Sequence, residues 1–168
     1  MPRACSSAVV ISAGIARTWL RRPLVRRLYR EWYELVVARL APVPGPTVEL
    51  GSGIGAFKEH HPATLATDVE PTPWAERVVD AERLPFEDAS VANLVLIDVF
   101  HHLASPRRFL DEAARVLVPG GRVVVVDAYC SPVSYRAYRC FHQERADLSA
   151  PPFADASVPR DSIARLPT

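Results

Sequence analysis

The sequence predicts an α/β fold built on a doubly wound, mostly parallel sheet, and three observations carry that expectation. Short apolar runs at Thr47–Leu50, Ala63–Asp68, Val91–Asp98 and Arg122–Asp127 read as strands, with a briefer one at Arg77–Asp80. The run Val91–Asp98 is almost unbroken in apolar residues, the pattern of a central parallel strand buried on both faces. The first strand runs straight into Gly51-Ser52-Gly53-Ile54-Gly55 and a helix starting near Ala56. That arrangement belongs to the end of an open α/β sheet where ligands sit beyond the carboxyl ends of the strands. Strands joined by intervening segments imply parallel βαβ crossovers.

The 168-residue chain, 49% apolar with a net charge of +1, is expected to form one soluble domain with a core of its own and no global preference for a polyanion. Residues 8–16 are apolar but fall short of the roughly 20 residues a membrane helix needs, so they read as an upstream extension rather than a span or a signal-peptide core. Arg17–Leu40 has helical spacing, with Pro23 at a start position and Leu24, Leu28, Trp32, Leu35 or Val36, and Leu40 expected to face the body. The other face carries Arg21, Arg22, Arg26, Arg27 and Arg30. Because Lys58 is the only lysine, arginine supplies nearly all the positive charge everywhere, and the cluster reads as a solvated face; no nucleic-acid partner is expected. Pro42, Pro44 and Pro46 form a stiff connector that ends the helix.

Farther on, Pro71-Thr72-Pro73-Trp74 stands where a crossover helix is usual. Ser105 and Pro106 supply an N-cap and a first-turn proline for a helix whose buried stripe is expected to be Phe109, Leu110, Ala113, Ala114 and Leu117. Pro119-Gly120-Gly121 is expected to stop it before the fifth strand. The division that follows is an N-terminal extension and basic helix at 1–46, a core at 47–129, and an irregular segment at 130–168.

The glycine spacing is Gly-x-Gly-x-Gly, not the Gly-x-Gly-x-x-Gly of a dinucleotide site, whose pyrophosphate rests on the helix N-terminus. Glu49, just ahead of the loop, places negative charge beside the ligand; that suits a sulfonium or ammonium and repels a pyrophosphate. Asp68 closes the second strand 17 residues after Gly51, close to the roughly 20-residue offset at which an acid takes ribose hydroxyls in this fold type. Cys5, Cys130 and Cys140 form no CxxC pair and are odd in number, so reduced thiols and a cytoplasmic location are expected. Adjacent side chains in His60-His61 and His101-His102 diverge, no nearby carboxylate completes a ligand spacing, and no metal is expected.

Four motifs in order, Val48–Gly55, then Asp68, then Asp80-Ala81-Glu82-Arg83-Leu84-Pro85-Phe86, then Arg115–Gly121, resemble the class I S-adenosylmethionine-dependent methyltransferases of the small-molecule "type 11" kind. The resemblance spans residues 47–129. It implies a Rossmann-like sheet with S-adenosylmethionine bound over Gly51, Ser52, Gly53 and Gly55, Glu49 near the methionine end and Asp68, with Val69 beside it, at the ribose. Asp80 would take the adenine amino group, Ala81 and the neighbouring Glu82 would line the adenine, and Asp98 would lie by the methionine moiety. Asn93 stands where the family often has Asp, a change expected to cost little. A methyl on a sulfonium is already a strong electrophile, so such a site mainly positions its acceptor. A base matters only when the acceptor must lose a proton, and His101, His102, His142 and Glu144 are the candidates.

Class I methyltransferases usually end with two further strands, whereas residues 130–168 carry five prolines, Pro132, Pro151, Pro152, Pro159 and Pro167, with at most a helix at Tyr135–Phe141. The chain is therefore expected to be short at its C-terminus, leaving the fifth strand as an edge open to self-association. The expected function is methyl transfer from S-adenosylmethionine to a small molecule. The alternatives are a catalytically inactive S-adenosylmethionine-binding remnant or partner subunit and, less compatible with the glycine spacing, a dinucleotide oxidoreductase.

Overall fold

The computed structural model describes Trp19 and residues 21–127. The candidates His142 and Glu144, the three cysteines and the Tyr135–Phe141 helix lie outside the described residues. Five strands, β1 (Thr47–Leu50), β2 (Leu65–Asp68), β3 (Arg77–Val78), β4 (Val91–Ile97) and β5 (Leu117–Val126), form one sheet in the order β3-β2-β1-β4-β5. Every pairing is parallel. The order reverses between β1 and β4, so the crevice at the carboxyl ends of those two strands is where an open α/β sheet accepts a ligand.

β4 is buried along all seven residues, and its alternating side chains feed two separate cores. Leu94 and Leu96 join Val48, Leu50, Phe109, Ala113 and Val116 on one face, beneath helix α2 (Pro106–Val116). Val95 and Ile97 join Tyr33, Val36 and Phe57 on the other, beneath helix α1 (Pro23–Val37). Between β1 and β2 the chain makes only a 3-10 turn at Ala56–Glu59, and neither the β2–β3 nor the β3–β4 connection contains a helix. The proline-rich segment 71–74 fixes φ and withholds backbone donors, which accounts for the missing helix there.

Ser105 caps α2 by accepting from the Arg108 N–H at 3.4 Å, with Pro106 in the first turn. The helix buries Phe109, Ala113 and Val116; Leu110 is 42% exposed, so the stripe is narrower than the sequence pattern suggested. Glu112 and Arg115 point to its flank and clamp the preceding loop. Arg115 donates to the carbonyls of Leu84 and Phe86, and Glu112 accepts from the Leu84 N–H.

One strand boundary and one helix face differ from the sequence expectation. β5 begins at Leu117 rather than after Gly121, because Leu117 already pairs with Val91 and the strand bulges outward before Arg122 pairs with Asn93. α1 keeps only part of the expected face: Val36 is buried and Trp32 and Leu40 pack on the same core, but Tyr33 is buried beside them while Leu24, Leu28 and Leu35 are 81%, 45% and 56% exposed. The aromatic residues Tyr29, Trp32 and Tyr33 outweigh the leucines because their larger surfaces stack on one another and on Phe57.

Asn93 is a staple rather than a neutral replacement. It is buried, its Oδ1 accepts from the Ala41 N–H at 2.7 Å, and its Nδ2 donates to the Ala41 carbonyl and to Thr47 Oγ1. The amide thus supplies both a donor and an acceptor to the connector, a pairing an ionised carboxylate could not make.

The packing predicts contrasting costs in urea unfolding. Phe109→Ala, at a fully buried site, should lower stability by about 3–5 kcal/mol, and Leu24→Ala should change it by less than about 0.5 kcal/mol. A large loss from Leu24→Ala would contradict the face assigned to α1.

Candidate functional site at the carboxyl ends of the strands

The turn after β1 takes its shape from backbone geometry. Gly51, Gly53 and Gly55 have φ of 72°, 54° and 69°, a region that L side chains rarely adopt. At Gly51 a Cβ would also come within 2.7 Å of the Val99 side chain, so the loop after β4 packs directly on the glycine turn. At Gly53 a Cβ would meet nothing within 4 Å; here the backbone faces open space, a cradle that any side chain would fill. The turn is pinned from β2: the Ser52 N–H donates to the Thr67 carbonyl at 2.8 Å, and the Gly53 N–H to Asp68 Oδ2 at 2.9 Å.

Glu49 stands out among the described residues. It is 4% exposed, and its Oε2 has no hydrogen-bond partner. Burial, together with the nearby charge of Asp68, pushes its carboxyl up to about 8. The Ser52 hydroxyl is likewise buried without a partner. Unpaired buried polar atoms of this kind are rare and costly, and two of them at the edge of a glycine cradle fit a polar, cationic group arriving from outside.

Tyrosines from α1 frame the same place. The Tyr29 hydroxyl donates to Asp98 Oδ2 at 3.3 Å, and burial, reinforced by Asp98, raises that phenol to about 12. Burial next to Glu49 raises Tyr33 further still. Both phenols therefore stay neutral near pH 7 and act as donors. The sequence does contain a signal for this frame, two tyrosines four residues apart on one helix face, but the leucine spacing obscured it.

The other expected contacts are distributed unevenly. Asp68 is half-buried; besides Gly53 it accepts from the Glu70 N–H at 3.2 Å, and a carboxylate oxygen with one such partner can accept a second hydrogen bond. Asp80 holds a turn by accepting from the Glu82 N–H at 3.0 Å, with Ala81 packed against the core beside it. Glu82 turns away, accepting from the Ser105 N–H at 2.9 Å, and so ties this loop to the start of α2. Val69 is exposed at 54%. Asp98 sits beyond β4 with φ of 59° and donates its N–H to the Val126 carbonyl.

His101 is joined to a group the sequence reading left out. Its Nδ1 lies 2.6 Å from Asp127 Oδ1, and its backbone N–H donates to Asp127 Oδ2 at 3.1 Å. Asp127 follows β5 as Asp98 follows β4, so neighbouring parallel strands deliver both acids to one edge. The rule that ligands collect at strand carboxyl ends would have pointed to it. One side-chain atom from each of Asp98, His101 and Asp127 lies within 4.8 Å of the others, so carboxylates do gather round this histidine although no local sequence spacing predicts it. His102 packs its ring against that of His101, and the His60-His61 pair lies elsewhere, with His61 bonded to Thr64.

Among the described residues, no helix is long and apolar enough to cross a membrane. A family model described as "Methyltransferase domain" matches residues 48–125. A demethylmenaquinone methyltransferase of Clavibacter sepedonicus is 41% identical over 54 residues, 32% of this chain and 22% of that protein. A solved S-adenosylmethionine-dependent methyltransferase of Thermotoga maritima superposes with a TM-score of 0.54 at 26% identity, covering 70% of this chain and 60% of that one. The methyltransferase solved in complex with the Haloferax volcanii Trm112 activator superposes with a TM-score of 0.53 at 22% identity, over 74% of this chain and 65% of that one. The chain thus spans less than two thirds of each of these relatives. The glycine turn, the strand order and the match over residues 48–125 agree: this segment is similar to the methyltransferase domain of the class I S-adenosylmethionine-dependent methyltransferases.

Proposed function

We propose that this protein binds S-adenosylmethionine in the crevice above β1 and β4 and transfers its methyl group to a small molecule. The observation that carries the proposal is the buried, unpaired carboxyl oxygen of Glu49 beside the unpaired Ser52 hydroxyl. A cationic methionine end satisfies both, because its ammonium favours the ionised form of Glu49, a partner that a pyrophosphate does not provide. The open backbone at Gly53 admits the nucleoside closely, Asp68 has lone pairs for the ribose hydroxyls, and Asp80 with Ala81 borders the adenine position. Val69, Glu82 and Asp98 belong to the proposed rim, Glu82 through its backbone because its side chain is held by the Ser105 N–H.

When bound, this co-substrate supplies a methyl on positively charged sulfur. The protein's own task is then positioning: its loops hold the acceptor in line with the sulfur–methyl bond, and α1 with Tyr29 and Tyr33 limits the entry of water. The acceptor is placed above the ends of β4 and β5, near Asp98 and His101.

Isothermal titration calorimetry should show micromolar binding of S-adenosylhomocysteine, lost in Gly53→Val, which fills the cradle, and weakened about tenfold or more in Asp68→Asn, which keeps an acceptor for the Gly53 N–H. A wild-type protein that binds neither this ligand nor S-adenosylmethionine would refute the reading.

Glu49 also predicts a stability signature without ligand. Between about pH 4.5 and 8 the folded chain keeps a proton that the unfolded chain releases, so the wild-type protein loses stability as pH rises through that window. Glu49→Gln does not titrate. Its unfolding free energy in urea should exceed that of wild type by more at pH 8 than at pH 5, a difference on the order of a few kcal/mol. An equal gap at both pH values would contradict the raised carboxyl.

A further inference from the structure

We propose that His101, oriented by Asp127, is a general base, and that the methyl acceptor is accordingly a hydroxyl compound rather than an amine. This inference rests on the methyltransferase reading and adds the acceptor class. An ionised carboxylate only accepts hydrogen bonds, so Asp127 Oδ1 at 2.6 Å fixes the proton of a neutral His101 ring on Nδ1. The second bond, from the His101 backbone N–H to Asp127 Oδ2, locks the carboxylate across the residue and leaves it little freedom to rotate. Nε2 is left with its lone pair. This is the geometry by which a carboxylate orients a histidine to take a proton from a hydroxyl.

Position supports the same role. Val99 packs on Gly51 of the glycine turn, and two residues later His101 stands on the 3-10 turn Phe100–His102, so the imidazole is at the rim of the crevice and not on a remote surface. Its side chain is 39% exposed, open to an incoming acceptor. Among the described residues, the groups facing it are Asp127 at the end of β5, Asp98 at the end of β4 with Tyr29 of α1 bonded to it, and the ring of His102. An amine acceptor attacks with its own lone pair as a free base and has no need of such a dyad, whereas an alcohol or phenol is a poor nucleophile until its proton leaves.

The step balances as follows. Nε2 of His101 takes the hydroxyl proton while the oxygen forms a bond to the methyl carbon. The sulfur–carbon bond breaks with its electron pair going to sulfur, which becomes a neutral thioether. The imidazolium then returns its proton to water. His101 is the catalytic residue and Asp127 a positioning residue.

Two measurements test this. Methyl transfer from S-adenosylmethionine carrying a labelled methyl is measured on phenols, alcohols and primary amines of matched skeleton, and the His101 tautomer is read from ring carbon shifts by NMR. The expected result is transfer to a hydroxyl acceptor with a rising pH–rate limb, lowered in kcat on the order of 10²- to 10⁴-fold by His101→Gln while S-adenosylmethionine affinity is retained. The ring should carry its proton on Nδ1 and shift toward Nε2 in Asp127→Asn. Amine-only transfer, an unchanged kcat in His101→Gln, transfer abolished by chelation and restored by Mg²⁺, or a wild-type ring protonated on Nε2 would each overturn the proposal. If no compound is methylated, the tautomer decides. Failure of the wild-type protein to bind S-adenosylmethionine would instead overturn the reading beneath it.

Discussion

The structure depends on how an acid is kept inside it. Glu49 sits in the middle of a four-residue strand whose neighbours Val48 and Leu50 face one core, so strand alternation drives its carboxyl toward the opposite core beneath α1. Putting a carboxyl there costs stability, and the protein meets that cost by holding it largely protonated rather than by pairing it. A fold optimised for stability alone would place an apolar residue here. In the proposed function, the carboxyl is one half of an interaction that a cationic ligand completes.

The rest of the crevice follows from parallel strands ending at one level. β1 contributes the glycine turn, β2 contributes Asp68, β4 contributes Asp98 and the turn bearing His101, and β5 contributes Asp127. Asp68 links local folding to the site, because the carboxylate proposed to take the ribose also fixes the Gly53 N–H and thereby the turn itself. The apolar faces are divided in the same economical way. A single buried strand, β4, supplies both cores by alternating its side chains, and α1 and α2 cover opposite sides.

Much of this was legible in the sequence because it depends on local chemistry. The apolar run of β4, the glycine turn after β1, the Ser105-Pro106 helix start and the acid ending β2 each announce themselves through residue type and short spacing. The face of α1 was not legible, because its leucines and its aromatics follow two helical stripes and only packing on Phe57 chooses between them. The start of β5 was hidden for a similar reason: Pro119-Gly120-Gly121 reads as a stop, and only pairing of Leu117 with Val91 shows that the strand begins before it. The His101–Asp127 pair joins residues 26 positions apart that meet because two strands are neighbours, a relation carried by topology rather than spacing.

The carboxyl of Glu49 can be followed directly. With glutamate side-chain carbons labelled, its titration is recorded by carbon-detected NMR in the free protein and again with saturating S-adenosylhomocysteine. The account predicts a midpoint near pH 8 in the free protein that falls well below 7 once the ligand ammonium is seated against it. An ordinary carboxylate midpoint in the free protein, or one left unmoved by bound ligand, would contradict it.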